Sequence, residues 1–296
     1  NHRTLLRICK KALEKNKENL VHITNTPNNF KITNKFSQEL AEINFKSMRA
    51  DFNVLSKLII GADGINSWCR HHAGIVWGRK NYNQKAIVAQ FDLNRCHENI
   101  AKQWFCSKGI IALLPLKYNK LSLVWSAPDK LSKEILQGSK KQFLNKLELV
   151  IGDEISNLNL TSNLSSVPLS MLTTNSSVAN RLVLMGDAAH TVHPLAGFGL
   201  NLGIFDIINF FCLNDVNGVS SVKFFEKDIG ARKKLNNYAL SRKKSILFAQ
   251  IGLDRLHWLF TLKGEKINYL RSTGMSFLEN SSFFKKNIIQ QAISVF

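Results

Sequence analysis

The chain has 296 residues, of which 45% are hydrophobic and 9% aromatic, enough for a packed core and against global disorder. Lys and Arg number 40 against 21 Asp and Glu, a net charge of +19 that favours anionic partners, yet no zinc-knuckle, helix-turn-helix or RNA-binding signature makes nucleic acid the expected one. Cys9, Cys69, Cys96, Cys106 and Cys212 include no C-x-x-C pair, which argues against a disulfide scaffold and a zinc ribbon; no apolar run reaches the length of a membrane span, and no signal peptide opens the chain.

Taken in chain order, His2–Lys15 sets Leu5, Leu6, Cys9, Ala12 and Leu13 on one side of a helix. Leu20–Thr24 and Phe30–Thr33 predict hairpin strands, followed by a polar stretch with the basic Lys46–Arg49. Lys57–Ile60 is a short apolar run ending at Gly61, suited to a buried strand. Gly61–Gly64 is a turn, and Asn66 or Ser67 caps a helix running to about Ala73, with Gly74 as its stop. Ala86–Leu93, Gly109–Leu116 and Leu121–Ala127 predict strands, the last two joined by the turn Lys117–Lys120. Pro115 and Pro128 fall near strand ends, where a missing N–H is tolerated.

Ser132–Ile151 spaces Leu136, Phe143, Leu147 and Ile151 as one helix face. Ser162–Thr173 predicts an edge strand and Arg181–Met185 a second buried strand. A glycine-rich loop and a helix from near Leu200 follow, then helices over Val222–Thr261 and Phe283–Val295. The pairs Phe210-Phe211, Phe224-Phe225 and Phe283-Phe284 predict core packing. The class is α/β, with a sheet-rich insert and a helical tail.

Two segments carry chemistry. Arg181–Gly203 delivers Gly186 and Asp187 to the end of a strand. Glycine lets a ligand approach the backbone, and Asp187 is placed to accept from a ribose hydroxyl. Pro194–Gly199 is a loop of small residues, and the helix after it offers free N–H groups to developing negative charge. Leu58–Arg70 repeats the pattern, with Asp63 at a strand tip and Ser67 and Arg70 following at helical spacing. Arg70 either faces a diphosphate or holds Asp63. Asp187, His190 and His193 also have the spacing of metal ligands, a rival reading.

The two segments, in this order, resemble the downstream FAD motifs of the para-hydroxybenzoate-hydroxylase-like flavin monooxygenases. Ala62, Asp63, Gly64, Ser67 and Arg70 match one; Gly186 to His190 and Pro194 match the other. Asn66-Ser-Trp-x-Arg, Ala112-Leu-Leu-Pro-Leu, Ser122-Leu-Val-Trp-Ser and His193-Pro-x-Ala-Gly-x-Gly-Leu-Asn-Leu-Gly point to the ubiquinone-biosynthesis branch. Phe198 stands where the family usually has Gln. No G-x-G-x-x-G precedes these motifs, so a βαβ-led start of about 100 residues is expected to be missing.

The resemblance implies an FAD/NAD(P)-binding Rossmann-like domain, N-terminally truncated, with a mixed-sheet substrate domain and C-terminal helices. Residues 1–74 and 174–220 would form the FAD-binding part, 75–173 the substrate domain and 221–296 the helical region. It implies NAD(P)H- and O2-dependent hydroxylation of a polyprenyl-phenol ubiquinone precursor. Gly186 and Asp187 would hold FAD. Pro194, Gly197, Gly199, Leu200 and Asn201 would lie against its ring. Asp63, Gly64 and Arg70 would serve the diphosphate side and NAD(P)H. Trp104, Phe105 and Trp125 are substrate-facing candidates, with core packing as their other reading; no acid–base residue stands out. A cytoplasmic protein touching the inner membrane peripherally, with other ubiquinone-biosynthesis proteins as partners, is expected. A remnant unable to hold FAD alone is the non-enzymatic alternative.

Overall fold

The computed structural model describes residues 2–15, 18, 20–21, 23, 27–35, 38–46, 51–94, 97–153, 158–214, 228–262, 264–282 and 286. Helix α1 is His2–Lys15, and Leu6 and Leu13 on its apolar side stay exposed. Strands β1 (Pro27–Lys35), β2 (Gln38–Phe45) and β3 (Phe52–Ser56) form an antiparallel sheet. Leu20, Val21 and Ile23 belong to no strand, unlike the expectation for Leu20–Thr24.

Next come β4 (Ile59–Gly61) and α2 (Trp68–His72). The large sheet is built from β5 (Trp77–Leu93), β6 (Lys102–Cys106), β7 (Gly109–Leu116) and β8 (Lys120–Pro128). Helices α3 (Asp129–Gln137) and α4 (Lys140–Ile151) follow. The single helix expected over Ser132–Ile151 is therefore two. Gly138 is extended, and Ser139 and Gln142 form a capping box that starts α4 afresh.

Strands β9 (Leu158–Leu160) and β10 (Ser165–Thr174) complete the sheet, in the order β10-β5-β8-β7-β6 with β9 paired to β5. β10 is an edge strand, as expected. Between β7 and β8, Tyr118 and Asn119 both have positive φ, the backbone of a tight hairpin turn. Alternation divides the sheet into two faces. Ile87, Phe91, Ile111, Leu123 and Trp125 point to one side and pack on Phe143, Leu147 and Ile151. Their neighbours Val88, Ala112 and Val124 point to the other side, which is only half covered.

β11 (Val178–Ala179) and β12 (Leu182–Leu184) join β4 in a small sheet, and β12 runs parallel to β4. α5 spans Phe198–Asn214, two residues earlier than expected, because Gly197 adopts the left-handed conformation that ends the preceding turn. α6 (Arg232–Thr261) and α7 (Glu265–Asn280) close the described chain. Phe210 packs with Val183, Leu235 and Tyr238, joining α5 and α6 to the small sheet. All of the expected helix over Phe283–Val295 except Lys286, the first six residues of that over Val222–Thr261, the pairs Phe224-Phe225 and Phe283-Phe284, most of Lys46–Arg49 and Cys96 lie outside the described residues; residues 228–231 are described and not helical, so the second helix starts later than expected. Among the described residues no helix is long and apolar enough to cross a membrane.

Candidate functional site

Parallel pairing decides the site. Leu182 pairs with Ile59 and Leu184 with Gly61, and Met185 N donates to Gly61 O at 2.9 Å. The two strands end side by side, so the turns bearing Asp63 and Asp187 leave the same edge of one sheet. Ligands of parallel α/β sheets bind at that edge. Gly61 permits this spacing: a Cβ there would sit 2.7 Å from Leu184 Cδ2 and 2.8 Å from Cys69 Cβ.

On the first turn, Ser67 Oγ donates to Asp63 Oδ1 at 2.6 Å, and Cys69 N donates to Asp63 Oδ2 at 3.0 Å. Burial raises the Asp63 carboxyl, but the bonds from Ser67 and Cys69 outweigh it and hold the pKa below the usual carboxylate range. Burial, with the adjacent Asp63 charge, pushes the Cys69 thiol up to about 12, so it stays protonated. Ser67, not Asn66, caps α2 by accepting from Arg70 N at 2.9 Å.

Arg70 is buried. It donates to Ala188 O at 2.8 Å and Ile65 O at 2.7 Å, and its guanidinium lies over the Trp77 ring. It therefore ties the Asp63 turn to the Asp187 turn. Its hydrogen bonds go to backbone carbonyls of the two turns and not to the Asp63 carboxylate.

On the second turn Gly186 has φ +58°, and its Cα lies against Gly203 of α5. Asp187 is exposed at the tip. Behind it stands Asp206, fully buried on α5. Its carboxylate accepts from Gly186 N and from Arg242 Nε, and lies beside His190 Nε2, each at 2.8 Å. Burial raises this carboxyl, but His190, Gly186 and Arg242 bring it below the usual range. Asp206 and Arg242 were missed by sequence reasoning. The available signal was the single charged residue of α5, because a buried carboxylate requires cationic or N–H partners.

Gly197 has φ +67°, and a Cβ at Gly64, Gly197 or Gly199 would meet nothing within 4 Å. Backbone N–H groups of Phe198, Gly199, Leu200 and Asn201 begin α5 beside this open space, with the Leu200 side chain exposed. Pro194 starts the turn ahead of them, and Gln103 Nε2 on β6 donates to Leu195 O at 3.2 Å. Gln103 pairs with Ala112 and Phe105 with Ile110, so both stand on the half-covered sheet face, which looks toward this loop.

Phe105 stacks on Phe260 at 3.9 Å and borders a cavity of about 590 Å³ with Gln84, Phe260 and Arg271. Trp125 is buried on the opposite face, its Nε1 donating to Lys108 O, and Trp104 packs against that same core. Trp104 and Trp125 thus take the core-packing reading, while Phe105 stands on the half-covered face.

His193 is buried, its Nε2 3.5 Å from Gln84 Oε1 and its ring 4.5 Å from that of His257. Burial, aided by His257, lowers its pKa to about 3. The rival metal reading fails on this geometry. His190 is directed to Asp206 and His193 to Gln84, and no group of three metal-ligating side chains forms among the described residues.

A model of the FAD binding domain family matches residues 9–213. The chain belongs to that family. A second model, squalene epoxidase, matches residues 136–294. Among curated proteins, the ubiquinone biosynthesis monooxygenase COQ6 of Danio rerio is 32% identical over 254 residues, 74% of this chain and 51% of the relative. The ubiquinone hydroxylase UbiL of Rhodospirillum rubrum is 31% identical over 81% of this chain and 55% of the relative. The chain is similar to these ubiquinone-biosynthesis hydroxylases and spans about half the length of the curated relatives it matches.

Among solved structures, PqsL of Pseudomonas aeruginosa, described as a probable FAD-dependent monooxygenase, is 21% identical with a TM-score of 0.63, covering 79% of this chain and 64% of that one. The p-nitrophenol 4-monooxygenase PnpA of Pseudomonas putida is 12% identical with a TM-score of 0.69, covering 91% of this chain and 66% of that one. At these identities the likeness supports the fold, which is the expected α/β FAD/NAD(P)-binding class.

Proposed function

We propose that this chain is the flavin- and substrate-facing part of an FAD-dependent monooxygenase that hydroxylates the ring of a polyprenylated phenol, with NAD(P)H and O2 as co-substrates. The observation that carries it is the parallel pairing of β4 with β12, which sets Asp63 and Asp187 at adjacent strand ends. Open backbone at Gly64, Gly197 and Gly199 fits a cofactor lying against these turns. Bound FAD would supply the redox and oxygen-transfer chemistry.

The chain's own residues position and seal the site. Asp187 would accept from FAD hydroxyls. Pro194 and the Gly197, Gly199, Leu200 and Asn201 backbone would face the ring, with the α5 N-terminus favouring negative charge there. Asp63 and Gly64 would serve the diphosphate side, and Arg70 would hold both turns in register. In this reading residues 1–74 and 174–220 form the FAD-binding part and 75–173 the substrate part, whose half-covered sheet face, with Phe105 and Gln84, would receive the phenol. Family resemblance alone supports the prenylated phenol, NAD(P)H, and contact with other ubiquinone-biosynthesis proteins.

The test is FAD titration followed by flavin fluorescence. The 296 residues contain no G-x-G-x-x-G and should bind FAD weakly; a segment bearing that motif, supplied in cis, should give a yellow, stoichiometric complex. In that complex Asp187→Ala should weaken FAD by about 10- to 100-fold. Unchanged affinity in Asp187→Ala would refute the assignment.

A further inference from the structure

We propose that Gln84 is a specificity-determining residue: its amide N–H groups donate to an oxygen acceptor on an aromatic ring held in the cavity between β6 and the α6–α7 corner. Gln84 lines that cavity of about 590 Å³ together with Phe105, Phe260 and Arg271. It sits at an irregularity of β5, where Asn83 has φ +53° and the register with β10 shifts between Pro168 and Ser170. Such a bulge re-aims side chains, and here Gln84 meets two histidines. His193 Nε2 lies 3.5 Å and His257 Nε2 3.3 Å from Gln84 Oε1. The Tyr82 ring meets each imidazole edge-on at 4.8 Å, and the two imidazoles are 4.5 Å apart. Tyr82 is itself fixed by its hydroxyl, which donates to Asp254 Oδ1 at 3.1 Å, and Lys80 Nζ holds that same oxygen at 2.6 Å.

The histidines decide which way the amide points. Burial lowers the pKa of both, to about 3 for His193, so each is neutral and carries one N–H. His193 Nδ1 is buried with no hydrogen-bond partner. An orphaned buried N–H is rarer than an unmatched lone pair, so His193 keeps its proton on Nε2 and donates to Gln84 Oε1. The second lone pair of that oxygen takes the proton on His257 Nε2. With Oε1 occupied on the histidine side, the two donors of Gln84 Nε2 are what the cavity receives. Thr261 Oγ1 and Arg271 donate to backbone carbonyls, and no carboxylate stands among the described lining residues. Phe105 and Phe260, stacked at 3.9 Å, add a flat apolar wall. The cavity therefore selects a ring with an acceptor oxygen, a phenolate above all. His193 directly precedes Pro194, which sets the amide beside the loop assigned to the flavin ring. The choice of a phenol rests on the hydroxylase reading; the donor rests on the histidine pair.

The probe is 4-(trifluoromethyl)phenol, added to the whole chain without flavin, with 4-(trifluoromethyl)toluene as the control that lacks the oxygen. Fluorine NMR reads both the affinity and the ionisation of the bound phenol. The wild-type chain should bind the phenol more tightly than the toluene and lower its ionisation midpoint, since donors favour the charged form. Gln84→Glu keeps an oxygen for the histidines and removes the donors. It should weaken the phenol by about 10- to 100-fold, raise its midpoint and leave the toluene unchanged. Gln84→Leu should weaken the phenol selectively as well. Nitrogen-15 spectra of the histidines should show His193 and His257 protonated on Nε2. A Glu variant that holds the phenol as tightly as the wild type, an equal loss for both probes, or histidines protonated on Nδ1 would overturn the proposal. Should Gln84→Glu not fold, the Leu variant and the histidine spectra decide alone. Every arm is free of flavin, so this result and the Asp187 titration can fail separately.

Discussion

Asp206→Asn tests the reasoning most directly, because it removes one charge and little volume from the support of the Asp187 turn. The carboxylate is fully buried and has three partners at 2.8 Å: Gly186 N, His190 Nε2 and Arg242 Nε. Asn cannot satisfy all three, since its amide would direct a donor at a donor. Arg242 is itself buried, so the substitution leaves an uncompensated cation, which costs about 3–5 kcal/mol. For a chain of this size that lowers the thermal midpoint by roughly 10 °C.

Circular dichroism melting and urea unfolding read the effect. Arg242→Gln in the same chain should restore part of the loss, a non-additivity expected of direct partners. Sign follows from the lowered Asp206 pKa: its stabilisation is present above the ordinary carboxylate value of 3.8 and is lost as pH falls below that toward the folded value. The variant should therefore show a flatter acid limb. A loss below about 1 kcal/mol, or strict additivity with Arg242→Gln, would refute the view that a buried ion pair holds this turn.

Three further outcomes are expected. Gly186→Ala should cost about 1–2 kcal/mol in urea unfolding, because φ +58° is unfavourable for a residue with a Cβ. Ser67→Ala should cost about 1 kcal/mol, since the hydroxyl caps α2 and also bonds Asp63. His193 should stay neutral well below the ordinary value of 6.5, its folded pKa being about 3. Between those values the unfolded chain binds the proton and the folded one does not, so stability falls as pH drops from 6.5 toward 3. His193→Gln should flatten that slope, and the His193 ring signals in NMR should not titrate near neutrality.

Much of the fold was legible along the chain. The strands β7 and β8, the turn between them and the edge position of β10 follow from alternation, prolines and turn residues. The break between α3 and α4 was also readable, as Gly138 and the Ser139-x-x-Gln142 box, but the apolar spacing on either side masks it. Leu20, Val21 and Ile23 show the opposite failure: short alternation alone does not specify a strand, and these residues belong to none among the described residues. At the site, Asp63 and Asp187 could be picked out because glycines surround them at strand ends. Asp206 left only the signal of a single charged residue within α5 and Arg242 left none, because their pairing arises only in contacts between separate elements.

From the order of residues alone come the two Gly-Asp strand ends, the small-residue loop ahead of α5 and the resemblance to flavin hydroxylases. All are local patterns, set by neighbours a few positions apart. The tertiary structure alone decides that β4 and β12 lie side by side, that Arg70 clasps both turns and that His190 serves Asp206. It also decides which side of α6 faces out. The strand pairing and the Arg70 clasp join residues more than a hundred positions apart, and side-chain burial has no local signature until the elements are packed together.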